Sequence, residues 1–277
     1  MMKKLWDIRE PDTTTDYWEG VARSWRAGPS HRLWRRHSDA VNAQLLQRWI
    51  GARHADRWLK TDVFDEAFGA GVAEKADDRS KLVVGIDLSP TVLEMAQRHH
   101  PQWRVVQADV RRLPFANASF DRIVSLSTLD HFDAHSQIEA SLVELNRVLK
   151  KGGALFLTLD NLANPLVWLR NTLPFGPLHR ISLTPYQVGK TCGPARLRRS
   201  LRSAGFRIAE STAVMHCPRA LAVGMCRSLQ SYASEQVQDH FLRLLMIFEQ
   251  LSRWPSRYAT GYFVAVRADK PSKCGDS

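Results

Sequence analysis

Residues 63–71 read Val-Phe-Asp-Glu-Ala-Phe-Gly-Ala-Gly. The apolar start and the closing glycines predict a buried strand that runs into a tight turn. A second apolar run, residues 81–88, brings Asp87 to its end. Glycines let backbone N–H groups approach a ligand, and a carboxylate at the tip of the next strand can bind ribose hydroxyls. The two segments predict a site for a nucleoside-containing cofactor, with an ordinary strand-to-helix turn as the alternative.

Apolar runs and helical repeats alternate downstream of this stretch. Further strands are predicted at residues 103–108, 122–126, 154–159 and 206–215. Ser89 and Pro90 predict one helix start, because Ser caps free N–H groups and Pro fits the first helical position. Ser136 and Glu139 predict a capping box at another. Strands alternating with helices indicate right-handed crossovers and a doubly wound, mostly parallel α/β sheet.

Composition and charge narrow the class of protein. The 277 residues are 44% hydrophobic and 24% charged, which is typical of a globular protein with one α/β domain and an appendage, or with two small domains. The formal net charge is +11, with arginine concentrated in residues 23–60 and 190–207. This excess indicates an anionic partner or a solvated basic surface. No RNA-binding signature accompanies the arginines, so nucleic acid is the less favoured partner.

Cysteine usage and hydropathy indicate the compartment. The four cysteines form no Cys-x-x-Cys pair and have no histidine at metal-ligand spacing, so we expect reduced thiols and no metal. The N-terminus lacks the apolar region of a signal peptide, and no apolar run is long enough to span a bilayer. A cytoplasmic protein is therefore expected.

Two helical regions flank the predicted strands. Residues 1–60 contain an apolar helical stripe that ends near Ile50, and Trp18 and Trp25 precede it. We expect this region to form a lid, with a Trp-rich helix packed on the flank of the sheet as the alternative. Residues 216–256 predict two helices. Core packing is the first interpretation of their apolar face, and an acceptor cap or a dimer face is the second.

Residues 61–160 resemble the class I S-adenosylmethionine-dependent methyltransferases, in particular their small-molecule branch. The resemblance depends on Gln-Ala-Asp at 107–109, Leu-Pro-Phe at 113–115, Ala-Ser-Phe-Asp at 118–121, Leu-Asp-His-Phe at 129–132 and Glu-Leu-Asn-Arg-Val-Leu-Lys-Lys-Gly-Gly at 144–153. It implies S-adenosylmethionine as cofactor and a seven-stranded Rossmann-like sheet. The implied core covers residues 61–215, and the last, antiparallel strand and a tail fill residues 257–277. Ala67 and Glu66 depart from the first motif of the family.

The resemblance also implies a donor pocket at the carboxyl ends of the strands. Asp65 would hold the amino group, Asp87 the ribose hydroxyls and Asp109 the adenine edge. Two glycines would wrap the methionine and ribose. The full implied set is Asp65, Gly69, Gly71, Asp87, Leu88, Asp109, Val110 and Ser125.

Methyl transfer to a hydroxyl needs a base near the donor methyl group, and three residues are candidates. His131, just beyond the fourth strand, is the first choice, because imidazole accepts a proton near neutral pH. His216 and Tyr186 are weaker candidates. The alternative for each is a structural role in a cap, in packing or in an outer hydrogen bond.

These features predict a methyltransferase that acts on an O or N atom of a small-molecule acceptor in secondary metabolism. The acceptor would be anionic or carrier-bound, and the protein would be a homodimer if the apolar face of residues 216–256 pairs with itself. One alternative is an RNA methyltransferase that uses the arginines, with steeply salt-dependent binding. Another is a noncatalytic binding protein on the same scaffold.

Overall fold

The computed structural model describes residues 14–26, 31–50, 55–72, 80–173 and 189–272. Seven strands form one sheet in the order β3-β2-β1-β4-β5-β7-β6. The strands are β1 (Arg57–Lys60), β2 (Leu82–Asp87), β3 (Arg104–Gln107), β4 (Phe120–Leu126), β5 (Leu149–Asp160), β6 (Arg207–Val214) and β7 (Phe263–Asp269). Strands β1 to β5 pair in parallel, and β7 runs antiparallel to β5 and β6. The predicted doubly wound, mostly parallel sheet is confirmed.

Helices cover both faces of this sheet. In the described ranges they are α1 (Thr14–Arg26), α2 (Arg32–Ile50), α3 (Phe64–Phe68), α4 (Pro90–His99), α5 (His135–Val148), α6 (Pro165–Thr172), α7 (Pro194–Ser203), α8 (Arg219–Tyr232), α9 (Glu235–Ile247) and α10 (Arg257–Thr260). Short 3-10 helices cover Leu129–His131 and Phe248–Arg253. Buried side chains form two apolar clusters, one on each face of the sheet. None of the helices in these ranges has the length and apolar character of a membrane span.

The first strand lies earlier in the chain than predicted. Strand β1 ends at Lys60, and the apolar segment that begins at Val63 leads into helix α3 instead. Val63 and Ala67 are fully buried four residues apart, so their apolar pattern marks one helix face. The Oδ1 atom of Asp62 accepts the N–H of Phe64 at 2.8 Å, which starts this helix within two residues of the strand.

Two helix starts test the predicted caps. The Ser89 hydroxyl accepts the N–H of Val92 at 3.2 Å, and Pro90 opens helix α4, so this prediction is confirmed. The predicted capping box at Ser136 is wrong. Helix α5 begins one residue earlier, and the Gln137 side chain accepts the Ala134 N–H at 3.1 Å. Gln at the third helical position of α5 therefore takes the role that we predicted for Glu139.

The insertion between β6 and β7 contains the two predicted helices, α8 and α9. Both pack against α2 from the N-terminal region. The Gln230 side chain accepts the N–H of Leu33 at 3.0 Å, and Arg36 forms an ion pair with Asp239 at 2.7 Å. Two segments at opposite ends of the sequence therefore form one helical layer, and this layer borders the ends of the strands.

Candidate active site

A cavity of about 1090 Å³ opens where the order of the strands reverses, between β1 and β4. Ligands of doubly wound sheets bind outside the carboxyl ends of the strands at this point. Asp62 follows β1, Asp87 ends β2 and Ser127 follows β4, and all three line the cavity. Helices α1, α2, α6 and α8 supply the remaining walls. The cavity extends well beyond the strand ends, so it has room for two ligands.

The predicted carboxylate at the tip of β2 lies in this cavity. Asp87 accepts the N–H of Ser89 at 2.9 Å, which fixes the side chain against the start of α4. Burial and the nearby Asp62 carboxylate raise the pKa of Asp87 to about 8. Burial also raises the pKa of Asp62. The two form an acidic pair at neighbouring strand ends, and a ligand with hydroxyl donors or a positive charge would stabilise their ionised forms.

Further predicted donor residues line the cavity beside this pair: Leu88, Asp109 and Val110. The Asp109 carboxylate forms a two-pronged ion pair with Arg111, with distances of 2.5 to 3.0 Å. Burial alone would raise the pKa of Asp109, but the hydrogen bonds from Arg111 outweigh it and hold the pKa below its usual value. Asp109 is therefore an ionised, oriented acceptor at the third strand.

Gly69 and Gly71 do not lie where the resemblance placed them. Both line a separate, smaller depression, away from the large cavity. The N–H groups of Ala70 and Gly71 donate to the Asp39 carboxylate, each at 3.1 Å. Since α2 supplies that carboxylate, these N–H groups bind the helical layer and are not directed into the large cavity.

The turn that faces the cavity, residues 61–66, contains no glycine, and a buried ion pair stabilises it instead. Lys60 and Glu66 are almost completely buried, with Nζ and Oε2 3.5 Å apart. Lys60 Nζ also donates to the carbonyl of Asp62 at 2.5 Å. Glu66 Oε1 accepts the Val72 N–H at 3.0 Å and lies so close to Gly71 that an added Cβ would be 2.4 Å from it. Glu66, which looked like a departure from the motif, has a structural role.

Asp65 lines the cavity as predicted, but its charge is already balanced. Arg35 of α2 donates to its Oδ1 at 2.5 Å and lies over the rings of Trp25 and Phe64. Within the part of the chain that the structure describes, no guanidinium pairs with Asp62 in this way. Asp62 is a site residue that the sequence did not predict, although its position two residues after a buried strand was a usable signal.

Ser125 is fully buried within β4 and does not line the cavity. Ser127, two residues further along, does. Its backbone has a positive φ of 53°, and its hydroxyl donates to Asp130 Oδ2 at 2.8 Å. The residue that lines the cavity lies two positions after the predicted one. Strand β4 ends at Leu126, and the residues that follow it border the cavity.

His131 lies in the cavity wall next to helix α1. Its Nε2 atom is 3.7 Å from Asp130 Oδ1, and its ring contacts the ring of Trp18 with centroids 4.7 Å apart. Asp130 is buried and its Oδ2 atom also accepts the Asp160 N–H at 2.9 Å. The Asp130 carboxyl group thus lies beside the imidazole, beyond hydrogen-bond distance, and its bonds to Ser127 and Asp160 fix the position of this loop. The backbone at Gly189 packs so closely on this loop that an added Cβ would be 2.4 Å from the His131 carbonyl carbon.

His216 has a structural environment. Although it lines the cavity, it is buried, with Nδ1 2.8 Å from the Thr260 hydroxyl and Nε2 3.0 Å from the Ala213 carbonyl. A carbonyl can only accept, so Nε2 carries the proton and Nδ1 accepts from Thr260. Both ring nitrogens are occupied, and the structure does not support His216 as a base. Tyr186 lies outside the described residues.

Helix α1 covers the cavity and is fastened beside the donor residues. Trp18 and Trp25 line the cavity from this helix. Glu19 accepts hydrogen bonds from the Ser89 hydroxyl at 2.6 Å and from the Thr91 hydroxyl at 2.5 Å. Burial alone would raise the pKa of Glu19, but these hydrogen bonds lower it to about 2. Helix α1 is therefore attached to the loop that follows Asp87.

Replacing Glu19 with Gln should loosen the lid. The change removes the charge from the hydrogen bonds to Ser89 and Thr91, at a cost of about 1–2 kcal/mol in lid docking. Trypsin should then cleave after Arg23 and Arg26 roughly 5- to 30-fold faster, with a proportional increase in hydrogen exchange across α1. In the unchanged protein this contribution is present above about pH 4.5 and is lost as the pH falls toward 2. Equal cleavage rates for Glu19→Gln and the exposed control Glu139→Gln would contradict this account.

The sheet order and the cavity define the class: a doubly wound α/β domain with a crevice at its switch point, where domains of this class bind their ligands. A sequence family described as "Methyltransferase domain" matches residues 67–157. The match covers about a third of the chain and indicates a methyltransferase domain in that segment. A relative in Mycolicibacterium smegmatis, 24% identical over 184 residues, is named a probable S-adenosylmethionine-dependent methyltransferase.

Methyltransferases are among the relatives of this chain, and a solved structure shares its fold. The chain is 36% identical over 127 residues to a demethylmenaquinone methyltransferase of Beutenbergia cavernae, covering 45% of each chain. It is 25% identical over 216 residues to a ubiquinone biosynthesis O-methyltransferase of Acinetobacter baylyi, covering 72% of this chain and 84% of the relative. The [4+2]-cyclase SpnF shares the fold, with a TM-score of 0.59, 17% identity and 92% coverage of both chains. The chain spans 45% to 63% of the length of five relatives, the Beutenbergia cavernae protein among them, so its own activity is a proposal.

The residues present fit S-adenosylmethionine. A sulfonium nucleoside carries an ammonium group and two ribose hydroxyls, and the cavity offers the acidic pair Asp62 and Asp87 to receive them. Asp109 and the Val110 backbone lie at the next strand for a base edge. The usual glycine turn is replaced, but the carboxylates that would recognise the ligand remain at the strand ends.

Proposed function

We propose that the protein transfers the methyl group of S-adenosylmethionine to an O or N atom of a small-molecule acceptor. The main support is the single cavity, which has acidic residues for the donor at the strand ends and a second region bounded by α6 and α8. His131 lies between the two regions. In-line transfer needs alignment and exclusion of water, and a lid fastened over a continuous cavity supplies both.

In this proposal Asp87 accepts the ribose hydroxyls and Asp62 accepts the ammonium group of the donor. Leu88 packs on the adenine, while Asp109 and Val110 bind its edge. Asp65 stays paired with Arg35 and orients the turn. Residues 14–50 act as the lid and residues 216–256 as the cap.

The relatives act on different acceptors, as their names state: demethylmenaquinone in one case and an intermediate of ubiquinone biosynthesis in another. A malonyl-[acyl-carrier protein] O-methyltransferase of Enterobacter lignolyticus is 31% identical over 138 residues. These names favour a metabolite acceptor for this chain.

Calorimetric titration with S-adenosylhomocysteine tests the donor site directly. We expect binding to one site per chain. Well-folded protein that shows no heat and no thermal shift with this ligand would defeat the proposal. Transfer of label from methyl-labelled S-adenosylmethionine to fractionated extract would then identify the acceptor, and donor binding without transfer to any fraction would favour a noncatalytic protein.

His131→Gln should lower kcat by about 100-fold or more, because general bases typically contribute 10²- to 10⁴-fold. The dissociation constant of S-adenosylhomocysteine should change by less than about 3-fold, since the side chain is not assigned to the donor. The readout is turnover with an acceptor fraction that the labelled-donor assay has identified. A kcat within 3-fold of the unchanged protein, with an unchanged pH profile, would assign His131 a structural role.

Donor binding should release a proton near neutral pH. The pKa of Asp87 is about 8 without ligand, so at pH 7 the side chain is mostly protonated. Ribose hydroxyls donate to the ionised form, so binding favours loss of that proton. Affinity for S-adenosylhomocysteine should rise up to tenfold per pH unit below pH 8 and level off above it. Titration in buffers of different ionisation enthalpy measures the proton, and identical heats in all buffers at pH 7 would contradict the linkage.

A further inference from the structure

Helix α8 presents one stripe of side chains to the part of the cavity beyond the donor residues. Arg219, Ala220, Val223, Gly224 and Arg227 all line it. Their spacing of one, four, five and eight residues places them on a single helix face. The stripe is therefore small and apolar in the middle, with an arginine at each end.

Arg219 is held in a fixed orientation on this stripe. Its guanidinium lies over the Tyr262 ring, 4.3 Å from the centroid. The Tyr262 hydroxyl also accepts from Arg170, which pairs with Asp160 at 2.5 Å. Burial raises the pKa of Tyr262, so the phenol stays neutral. Two positive charges and one negative charge meet here, from Arg170, Arg219 and Asp160. This cluster of three side chains therefore has a net positive charge beside the cavity.

The mouth of the same region is apolar. Leu166, Leu169 and Leu173 line the cavity from the α6 side, and Leu166 is 66% exposed. Phe248 and Leu251 of the cap also line the cavity and are partly exposed. Large apolar side chains around an opening favour a ligand with an apolar body.

Gly224 leaves space in the middle of the stripe. A Cβ built at this position meets no atom of the described residues within 4 Å. Glycine costs about 0.5–1 kcal/mol in a helix interior relative to alanine. No local contact requires glycine here, so the space beside it is a feature of the cavity wall that a ligand can use.

We propose that the acceptor is an amphiphile: Arg219 binds its anionic head group, and its apolar body lies along the α8 stripe and between the α6 leucines and Phe248. The head group is a carboxylate or a phosphate, since a guanidinium binds either one with two hydrogen bonds. This inference rests on the proposed function, because it names the class of molecule that the second region of the cavity takes.

Octyl phosphate is the probe, with octanol and butyl phosphate as matched controls for charge and for chain length. We expect one octyl phosphate per chain by calorimetry. Octanol should bind at least tenfold more weakly, because it carries no negative charge to pair with the guanidinium. Butyl phosphate lacks four methylene groups, worth about 3 kcal/mol or roughly 100-fold in affinity. Octanoate in a parallel titration distinguishes a carboxylate head group from a phosphate.

Two variants locate the site. Arg219→Gln should weaken octyl phosphate binding by about 10- to 100-fold and leave octanol binding unchanged. Arg199→Gln, on exposed α7, is the control and should change neither. Gly224→Phe should block octyl phosphate and octanol alike, whereas Gly224→Ala should keep both.

The outcomes separate this inference from the proposed function. S-adenosylhomocysteine is titrated into the same proteins, and Gly224→Phe should bind it normally. Donor binding with no octyl phosphate binding would overturn the amphiphile alone. Equal affinity for octanol and octyl phosphate, or equal effects of Arg219→Gln and Arg199→Gln, would overturn it as well. Several octyl phosphate molecules per chain that Gly224→Phe does not displace would show surface partitioning and reject the site.

Discussion

Asp87→Asn is expected to weaken binding of S-adenosylhomocysteine by about 10- to 100-fold at pH 8. The hydrogen bonds of two ribose hydroxyls to an ionised carboxylate are worth about 1.5–3 kcal/mol each, and the amide recovers part of this by accepting one of them. Asn preserves the volume and can still accept the Ser89 N–H that Asp87 now accepts at 2.9 Å. The effect should therefore be on binding and not on folding.

Calorimetry at several pH values measures this change and its origin. The pH dependence of donor affinity should disappear in Asp87→Asn, because the group whose pKa is about 8 has been removed. Unliganded Asp87→Asn should be at least as stable as the parent at pH 8. In the parent, the raised pKa of Asp87 means that folding stability falls as pH rises from about 4 to 8. Exposed Glu139→Gln is the control. An unchanged dissociation constant in Asp87→Asn would refute the assigned donor pocket.

Lys60→Met is expected to destabilise the fold by about 3 kcal/mol at pH 7, because removing one partner of a buried ion pair leaves the other charge buried and unpaired. Glu66 is fully buried, and Lys60 Nζ also holds the Asp62 carbonyl. The melting temperature should fall by roughly 5–10 °C. Donor binding should weaken as well, since the turn with Asp62 loses its support.

The double variant Lys60→Met with Glu66→Leu identifies the cause of that loss. Replacing both charges by apolar groups of similar size is often neutral or stabilising, so most of the lost free energy of unfolding should return. Burial raises the pKa of Glu66, so the single variant should lose less stability as the pH is lowered, because protonation removes the unpaired charge. Urea unfolding measures the free energy of unfolding of the single variant, of the double variant, and of the single variant at lower pH. A Lys60→Met protein that melts within 1 °C of the parent would show that the pair is not essential to the turn.

The turn after β1 explains why the opening stretch of sequence was assigned incorrectly. The backbone N–H groups of Ala70 and Gly71 bind the carboxylate of Asp39, which lies about thirty residues earlier in the chain, on α2. No local pattern connects Asp39 with Gly71. The residues that face the cavity, Thr61 and Asp62, lie before the apparent strand and were not considered.

The roles of the two histidines also depend on contacts that no local sequence pattern predicts. His131 and His216 both follow strands, and both line the cavity. Their difference comes from partners distant in sequence: Thr260 occupies one nitrogen of His216, whereas His131 lies against the lid through Trp18. Sequence position placed both residues in the site, but only the packed structure separates a candidate base from a structural histidine.

The sequence by itself determined the order of strands and helices, the cap on α4, and the carboxylates Asp87 and Asp109 at strand ends. These follow from local periodicity and from the rule that parallel strands end at one edge of the sheet. The tertiary structure alone decided which backbone amides face the cavity, how Lys60 and Glu66 replace the glycine turn, and where Arg219 is held. Those features depend on contacts between residues far apart in the chain, and side-chain charge and burial at such contacts have no periodic signal in the sequence.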